Sequence, residues 1–180
     1  PVYVDCRKII SFTQERDFII DKSIEYLSNN GISNDLIAGG ETAGIPYAAF
    51  ISQKLKKPMI YIRKKPKGFG INKQIEGHFE KKQSTLLVED LATDGGSKIT
   101  FVNAIREAGL VVKDIFVIFY YDIFDFEKSD LSKLDVKIHS LCTWHNVVTY
   151  LEKNSIYTET EINSLKEFLN DPKGWREKNG

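Results

Sequence analysis

Glu89 and Asp90 stand side by side at the end of a short apolar run, Thr85-Leu86-Leu87-Val88, and lead directly into Leu91-Ala92-Thr93-Asp94-Gly95-Gly96-Ser97-Lys98. Each part has a chemical use. A small-residue loop that opens onto a helix offers unpaired backbone N–H groups and the positive end of the helix dipole, and both favour a phosphate. Glycines let the main chain approach such a ligand closely. Two adjacent carboxylates, exposed at a strand's carboxyl end, accept hydrogen bonds from neighbouring sugar hydroxyls. Acids plus phosphate loop point to a site for a ribose 5-phosphate, whereas the plainer alternative is a strand–turn–helix joint whose acids cap the helix. Two other phosphate motifs are absent from the sequence: there is no G-x-x-x-x-G-K-[ST] run, and no G-x-G-x-x-G after a strand. Gly68-Phe69-Gly70 is too short for the latter.

A second group is cationic. Arg63-Lys64-Lys65-Pro66-Lys67 packs four cations into five positions after a strand and runs into Gly68-Phe69-Gly70, with Gly77 following. Loops of this length are often functional lids. Cations that close on a multiply charged leaving group stabilise the charge that develops in a transition state, Arg as a bidentate fork and Lys as a mobile point charge. The bland reading is a solvated charge run. A third group, Gly40-Glu41-Thr42-Ala43-Gly44, is a glycine-rich turn after a strand. His78, His139 and His145 have neither metal-site nor nucleophile–base spacing and read as structural.

These groups must be held by elements legible from periodicity. Thr13 to Asn30 has helical spacing, with Thr13 as N-cap and Gly31 as stop. Asp35 to Gly39 reads as a strand, Ile45 to Lys56 as a helix and Met59 to Arg63 as a strand, followed by a long connection over 64–82. The strand at 85–88 and its amphipathic helix (Ile99, Phe101, Val102, Ile105) come next, closed by Gly109. Val111 to Tyr121 is a strongly apolar strand whose Phe116, Phe119, Tyr120 and Tyr121 read as core. Asp125 to Leu134 reads as a short helix, Val136 to His139 as a strand, and Thr143 to Leu151 and Glu159 to Leu169 as helices, with Trp175 anchoring the end. Strands alternating with helices predict an open, mostly parallel sheet covered on both faces, whose ligands bind beyond the carboxyl ends of the strands. All three chemical groups sit at such ends.

Composition bounds the rest. A chain of 180 residues predicts one domain, and 25 Lys+Arg against 25 Asp+Glu gives no net charge, so bulk nucleic-acid or polyanion binding is not indicated. Cys6 and Cys142, far apart in sequence, lack redox or metal spacing and predict a reducing compartment. Without a signal peptide or an apolar run of membrane-spanning length, a soluble cytoplasmic protein is expected. The chain opens on Pro1 rather than methionine, so a preceding segment is expected.

The run from the apolar strand through the two acids to Thr93-Asp94-Gly95-Gly96-Ser97 resembles the 5-phosphoribosyl-1-pyrophosphate (PRPP) signature of type I phosphoribosyltransferases. Arg63-Lys64-x-x-Lys67-x-x-Gly70, with Ile75-Glu76-Gly77 beyond it, resembles the catalytic loop of the orotate phosphoribosyltransferases in particular. Pro1-Val2-Tyr3-Val4-Asp5-Cys6-Arg7-Lys8 is similar to that family's base-pocket segment, and Ile138 to Thr143 to its last strand and the start of the helix after it. The resemblance spans residues 1 to about 152.

It implies a type I phosphoribosyltransferase fold in a single domain over 1–180, with a base-pocket hood at 1–12, a flexible catalytic loop at 64–78 and a C-terminal helical tail at 153–180. It implies an Mg²⁺-dependent glycosyltransferase (pentosyltransferase) that moves phosphoribosyl from PRPP to orotate, giving orotidine 5-phosphate and pyrophosphate on the route to UMP. In that reading Arg63 and Lys64 hold the pyrophosphate, and Lys67 reaches the neighbouring subunit's site in a homodimer. Thr42 and Ala43 belong to the pyrophosphate turn. Glu89 and Asp90 bind the ribose hydroxyls. Thr93, Asp94, Gly95, Gly96 and Ser97 bind the 5-phosphate, and Leu91 and Ala92 belong to the same PRPP-binding run. Tyr3, Val4 and Thr93 meet the base, and Mg²⁺ comes with PRPP, Asp90 being the protein group expected near it. Three positions depart from the pattern: Phe69 replaces a common histidine, Ile123 a common arginine that contacts orotate, and the family's base-contacting lysine would precede Pro1. Arg7 or Lys8 is the expected replacement cation. The alternatives are a purine-base phosphoribosyltransferase and a non-catalytic PRPP-sensing regulator. Retention of Lys67 and zero net charge count against the regulator.

Overall fold

A computed structural model describes residues 4–66, 74–93, 96–124 and 126–179. Among them, six strands form one sheet in the order β3-β2-β1-β4-β5-β6: β1 (Leu36–Gly40), β2 (Met59–Ile62), β3 (Ile75–Glu76), β4 (Ser84–Ala92), β5 (Val111–Tyr120) and β6 (Lys137–Thr143). The pairs β1–β2, β1–β4, β4–β5 and β5–β6 are parallel, and β2–β3 is antiparallel. The helices are α1 (Cys6–Ile9), α2 (Thr13–Asn29), α3 (Gly44–Leu55), α4 (Gly96–Glu107), α5 (Trp144–Asn154), α6 (Glu159–Asn170) and α7 (Pro172–Asn179).

The two-residue period of the strands sorts their side chains into two cores. Leu36, Ala38, Leu87, Ile115 and Val117 face α4, whose Phe101, Val102 and Ile105 are fully buried. Their neighbours Ile37, Leu86, Val88, Phe116 and Ile118 face the other way, onto Ile20 and Leu27 of α2, Tyr47 and Ile51 of α3 and Trp144 of α5. Helices therefore cover both faces, as the near-continuous apolar strands require. Phe116, Phe119 and Tyr121 are core, as their sequence implies.

Several boundaries differ from the sequence-based expectation. Strand β4 continues four residues beyond Val88, because β5 is long enough to keep pairing: Glu89 lies opposite Val117 and Leu91 opposite Phe119. The long connection contains β3, which is two residues long and has no periodicity to announce it. Thr13 is the first helical residue rather than the cap; Phe12 precedes it and makes no side-chain cap bond. The helix expected over 125–134 is two single 3₁₀ turns, Phe126–Lys128 and Ser132–Leu134, while Asp125 lies outside the described residues. Strand β6 runs on to Thr143, which caps α5 through a reciprocal bond pair with Asn146. Trp175 does anchor the end: its ring meets Phe168 edge-on at 5.7 Å and its Nε1 donates to Ser164 Oγ at 3.3 Å.

Candidate active site

Consecutive strands β1 and β2 lie on one side of the sheet's centre while β4 lies on the other, so the chain changes direction between β1 and β4. Loops leaving neighbouring strands at such a point part in opposite directions and open a crevice. The cleft lies there. Glu41, Thr42 and Ala43, after β1, form one wall; Glu89, Asp90, Leu91 and Thr93, at the end of β4, form the floor; Gly96, Ser97 and Lys98 open α4 beside them. Lys64, after β2, and Val4, Cys6 and Arg7 complete the lining.

Backbone bonds fix these walls. Lys64 N–H donates to Glu41 Oε2 at 2.7 Å, which joins the segment after β2 to the turn after β1. The Glu41–Thr42 peptide is cis. Tyr47 Oη donates to the Cys6 carbonyl at 2.5 Å, tying the N-terminal wall to α3, and Asp5 Oδ1 accepts from Lys8 N–H to start α1. Cys6 touches the cleft, yet burial, with Asp90 adding to it, pushes its thiol up to about 12, so it stays protonated and is no nucleophile.

The two acids differ sharply. Asp90 has a partly accessible carboxylate at the cleft and pairs with Arg7 Nε at 3.6 Å. Glu89 is 5% exposed, which corrects the expectation that both acids are exposed. Its Oε2 lies 3.3 Å from Nζ of Lys98, itself 3% exposed, and that ammonium also donates to the Leu91 carbonyl at 2.7 Å. Burial raises the Glu89 carboxyl above its usual range, and Lys98 opposes that rise.

Most of the residues expected to bind PRPP converge: Thr42, Ala43, Glu89, Asp90, Leu91, Thr93, Gly96 and Ser97, together with Val4 and Lys64, line one cleft. Ala92 does not; it is fully buried in the α4-side core, so only its backbone is near the loop. Arg63 is not among the lining residues, and its backbone N–H donates to the Gln74 carbonyl at 2.8 Å. Tyr3, Lys67, Asp94 and Gly95 lie outside the described residues. Of the two candidate replacement cations, Arg7 lines the cleft and Lys8 does not.

Lys98 was missed, although a signal exists. Lys98, Phe101, Val102 and Ile105 are spaced i, i+3, i+4, i+7, so a charged residue occupies a core position of an amphipathic helix. A lysine is rarely fully buried without a partner. Glu41 carried no such pattern, since its role depends on a backbone amide from another loop.

No family model matches the chain. It is 46% identical over 181 residues to the orotate phosphoribosyltransferase of Ruegeria sp. (strain TM1040), an alignment covering 99% of this chain and 80% of that protein. The chain belongs to the orotate phosphoribosyltransferase family. Solved structures agree on the fold. Orotate phosphoribosyltransferase from Aeropyrum pernix superposes with a TM-score of 0.72 at 26% identity, over 87% of this chain and 85% of that one. The Leishmania donovani UMP synthase superposes with a TM-score of 0.78 at 25% identity, covering 94% of this chain and 36% of the larger protein. The fold is that of a type I phosphoribosyltransferase.

Proposed function

We propose that this chain transfers phosphoribosyl from PRPP to orotate, giving orotidine 5-phosphate and pyrophosphate for UMP synthesis. The observation that carries the reading is the convergence, at the switch point of the sheet, of Thr93, Gly96 and Ser97, the acids Glu89 and Asp90, the turn at 41–43 and Lys64. Family membership supports the choice of orotate.

The residues divide the work. Backbone amides at the start of α4 hold the 5-phosphate, where Gly96 and Ser97 are exposed to it. Asp90 accepts from a ribose hydroxyl, and Arg7 leaves it as the hydroxyl arrives; an accessible pair of this kind is worth no more than about 1 kcal/mol. Thr42 and Ala43 face the diphosphate, with Lys64 beside them. The C1–O bond to pyrophosphate breaks and a bond from C1 to the pyrimidine nitrogen forms, with cationic character at C1 between the two, so positioning and electrostatics carry the rate. Asp90 presents hard oxygen donors suited to Mg²⁺, and among the described residues no group of three or more His, Cys, Asp or Glu side chains gathers to hold a metal, so the ion would share Asp90 with substrate oxygens. Bound there, Mg²⁺ would neutralise the diphosphate leaving group.

The proposal extends to a single 1–180 domain, with 1–12 as hood, 64–78 as closing loop and 153–180 as tail, acting as a cytoplasmic homodimer in which Lys67 serves the partner's site. No helix among the described residues is long and apolar enough to cross a membrane.

The direct test is PRPP- and Mg²⁺-dependent loss of orotate absorbance, with adenine, hypoxanthine and uracil in parallel. Orotate turnover is expected; turnover of another base instead would overturn the substrate, and PRPP binding without any turnover would make the chain a sensor. Arg7 lines the cleft together with Val4, and it is the cation assigned here to orotate's carboxylate. Arg7→Gln is expected to raise the KM for orotate about tenfold and to move the PRPP KM less, since a lost charge-assisted bond costs about 1.5 kcal/mol or more. Equal rises in both would place Arg7 on the ribose side alone.

A further inference from the structure

Lys98, in the first turn of α4, donates to the Leu91 carbonyl at 2.7 Å and lies 3.3 Å from Glu89 Oε2. These contacts tie the first turn of α4, whose Gly96 and Ser97 are assigned to the 5-phosphate, to the end of β4. The other oxygen of Glu89 is pressed onto the glycine turn: a Cβ on Gly40 would stand 2.0 Å from Oε1, and one on Gly44 would stand 2.5 Å from it. One buried ion pair thus touches the first turn of α4 on one side and the turn that faces the diphosphate on the other. Nothing in ordinary packing calls for it, because charges at these positions are costly unless paired and an apolar pair would fill the space as well.

We propose that Lys98 is a positioning residue, which through Leu91 and Glu89 fixes the spacing between the phosphate loop and the 40–44 turn before PRPP binds. The inference rests on the reading of the cleft as a PRPP site. Its physical content is preorganisation. A ligand that grips both turns benefits from their fixed separation, whereas a ligand that grips one of them can be followed by that turn alone.

The test titrates the full-length chain with PRPP, ribose 5-phosphate and inorganic pyrophosphate, each with Mg²⁺, using wild type, Lys98→Arg, Lys98→Met and Lys98→Met/Glu89→Gln. In Lys98→Met, PRPP affinity is expected to fall about tenfold or more, while ribose 5-phosphate and pyrophosphate each change less than about threefold, because only the doubly anchored ligand uses the spacing. Lys98→Arg, which keeps the charge and can still donate to both partners, is expected to recover part of the loss. The double variant removes the unpaired buried carboxylate that could unfold Lys98→Met; it is expected to regain thermal stability without regaining PRPP affinity. PRPP affinity that is unchanged in a folded variant, that falls in step with both fragments, or that returns together with stability in the double variant would overturn the proposal. A wild-type chain that binds none of the three ligands would overturn the reading of the cleft, and the proposal with it.

Discussion

Gly40→Ala is expected to destabilise the protein severely and to cripple PRPP binding. A methyl group there would stand 2.0 Å from Glu89 Oε1, 2.7 Å from Glu89 Cδ and 2.6 Å from Cε2 of Phe101. None of these atoms can step aside cheaply. Phe101 is fully buried in a close-packed core, where overpacking alone costs about 1–3 kcal/mol. If Glu89 swings away instead, it leaves Lys98 buried without its counter-charge, and breaking a buried pair costs about 3–5 kcal/mol. For a chain of this size that corresponds to a fall in Tm of roughly 10 °C. Thermal melts and PRPP titration of the purified variant check it. A Tm within about 2 °C of wild type would mean that the Glu89–Gly40 contact relaxes freely.

Lys67→Ala is expected to lower kcat about a hundredfold or more while PRPP affinity moves less than about threefold, because a group that closes on the leaving pyrophosphate acts mainly in the transition state. The role is carried by the resemblance of Arg63-Lys64-x-x-Lys67-x-x-Gly70 to the family's catalytic loop, since Lys67 lies outside the described residues. Near-normal turnover would refute it. If the loop serves the partner's site, mixing Lys67→Ala with Asp90→Ala subunits places both lesions in one site of each mixed dimer and leaves the other intact. An equal mixture is then expected to recover about a quarter of wild-type activity. Confirmed mixed dimers without recovery would confine each loop to its own subunit.

Where sequence pattern succeeded, the reason was local. Long apolar runs such as 111–120 and amphipathic spacing such as Phe101, Val102, Ile105 must be buried wherever the chain goes, so the elements and the two-faced sheet followed from them. The strand–helix joint between β4 and α4 was legible because an apolar run followed by small residues and an amphipathic pattern marks it. Short or pairing-dependent elements were not legible: β3 exists because β2 offers it an edge, and the last four residues of β4 because β5 extends beside them. The 3₁₀ turns at 126–134 likewise bend where a longer helix was expected.

The site divides along the same line. Residue types and spacing alone singled out the segments proposed to carry the chemistry: the acids with the loop after them, the glycine turn and the cationic run. They could not determine which way each side chain faces. Adjacent residues on a strand point to opposite sides, so of two neighbouring acids the fold made Asp90 an accessible cleft group and Glu89 a buried one. The partner that makes this burial tolerable, Lys98, lies nine residues on, across a turn whose path only the folded chain defines. Arg7 met Asp90, and the backbone N–H of Lys64 met Glu41, for a related reason: the fold brings segments that are distant in the sequence within a few ångströms of one another at the carboxyl ends of β1, β2 and β4, and the order of those strands is a property of the sheet.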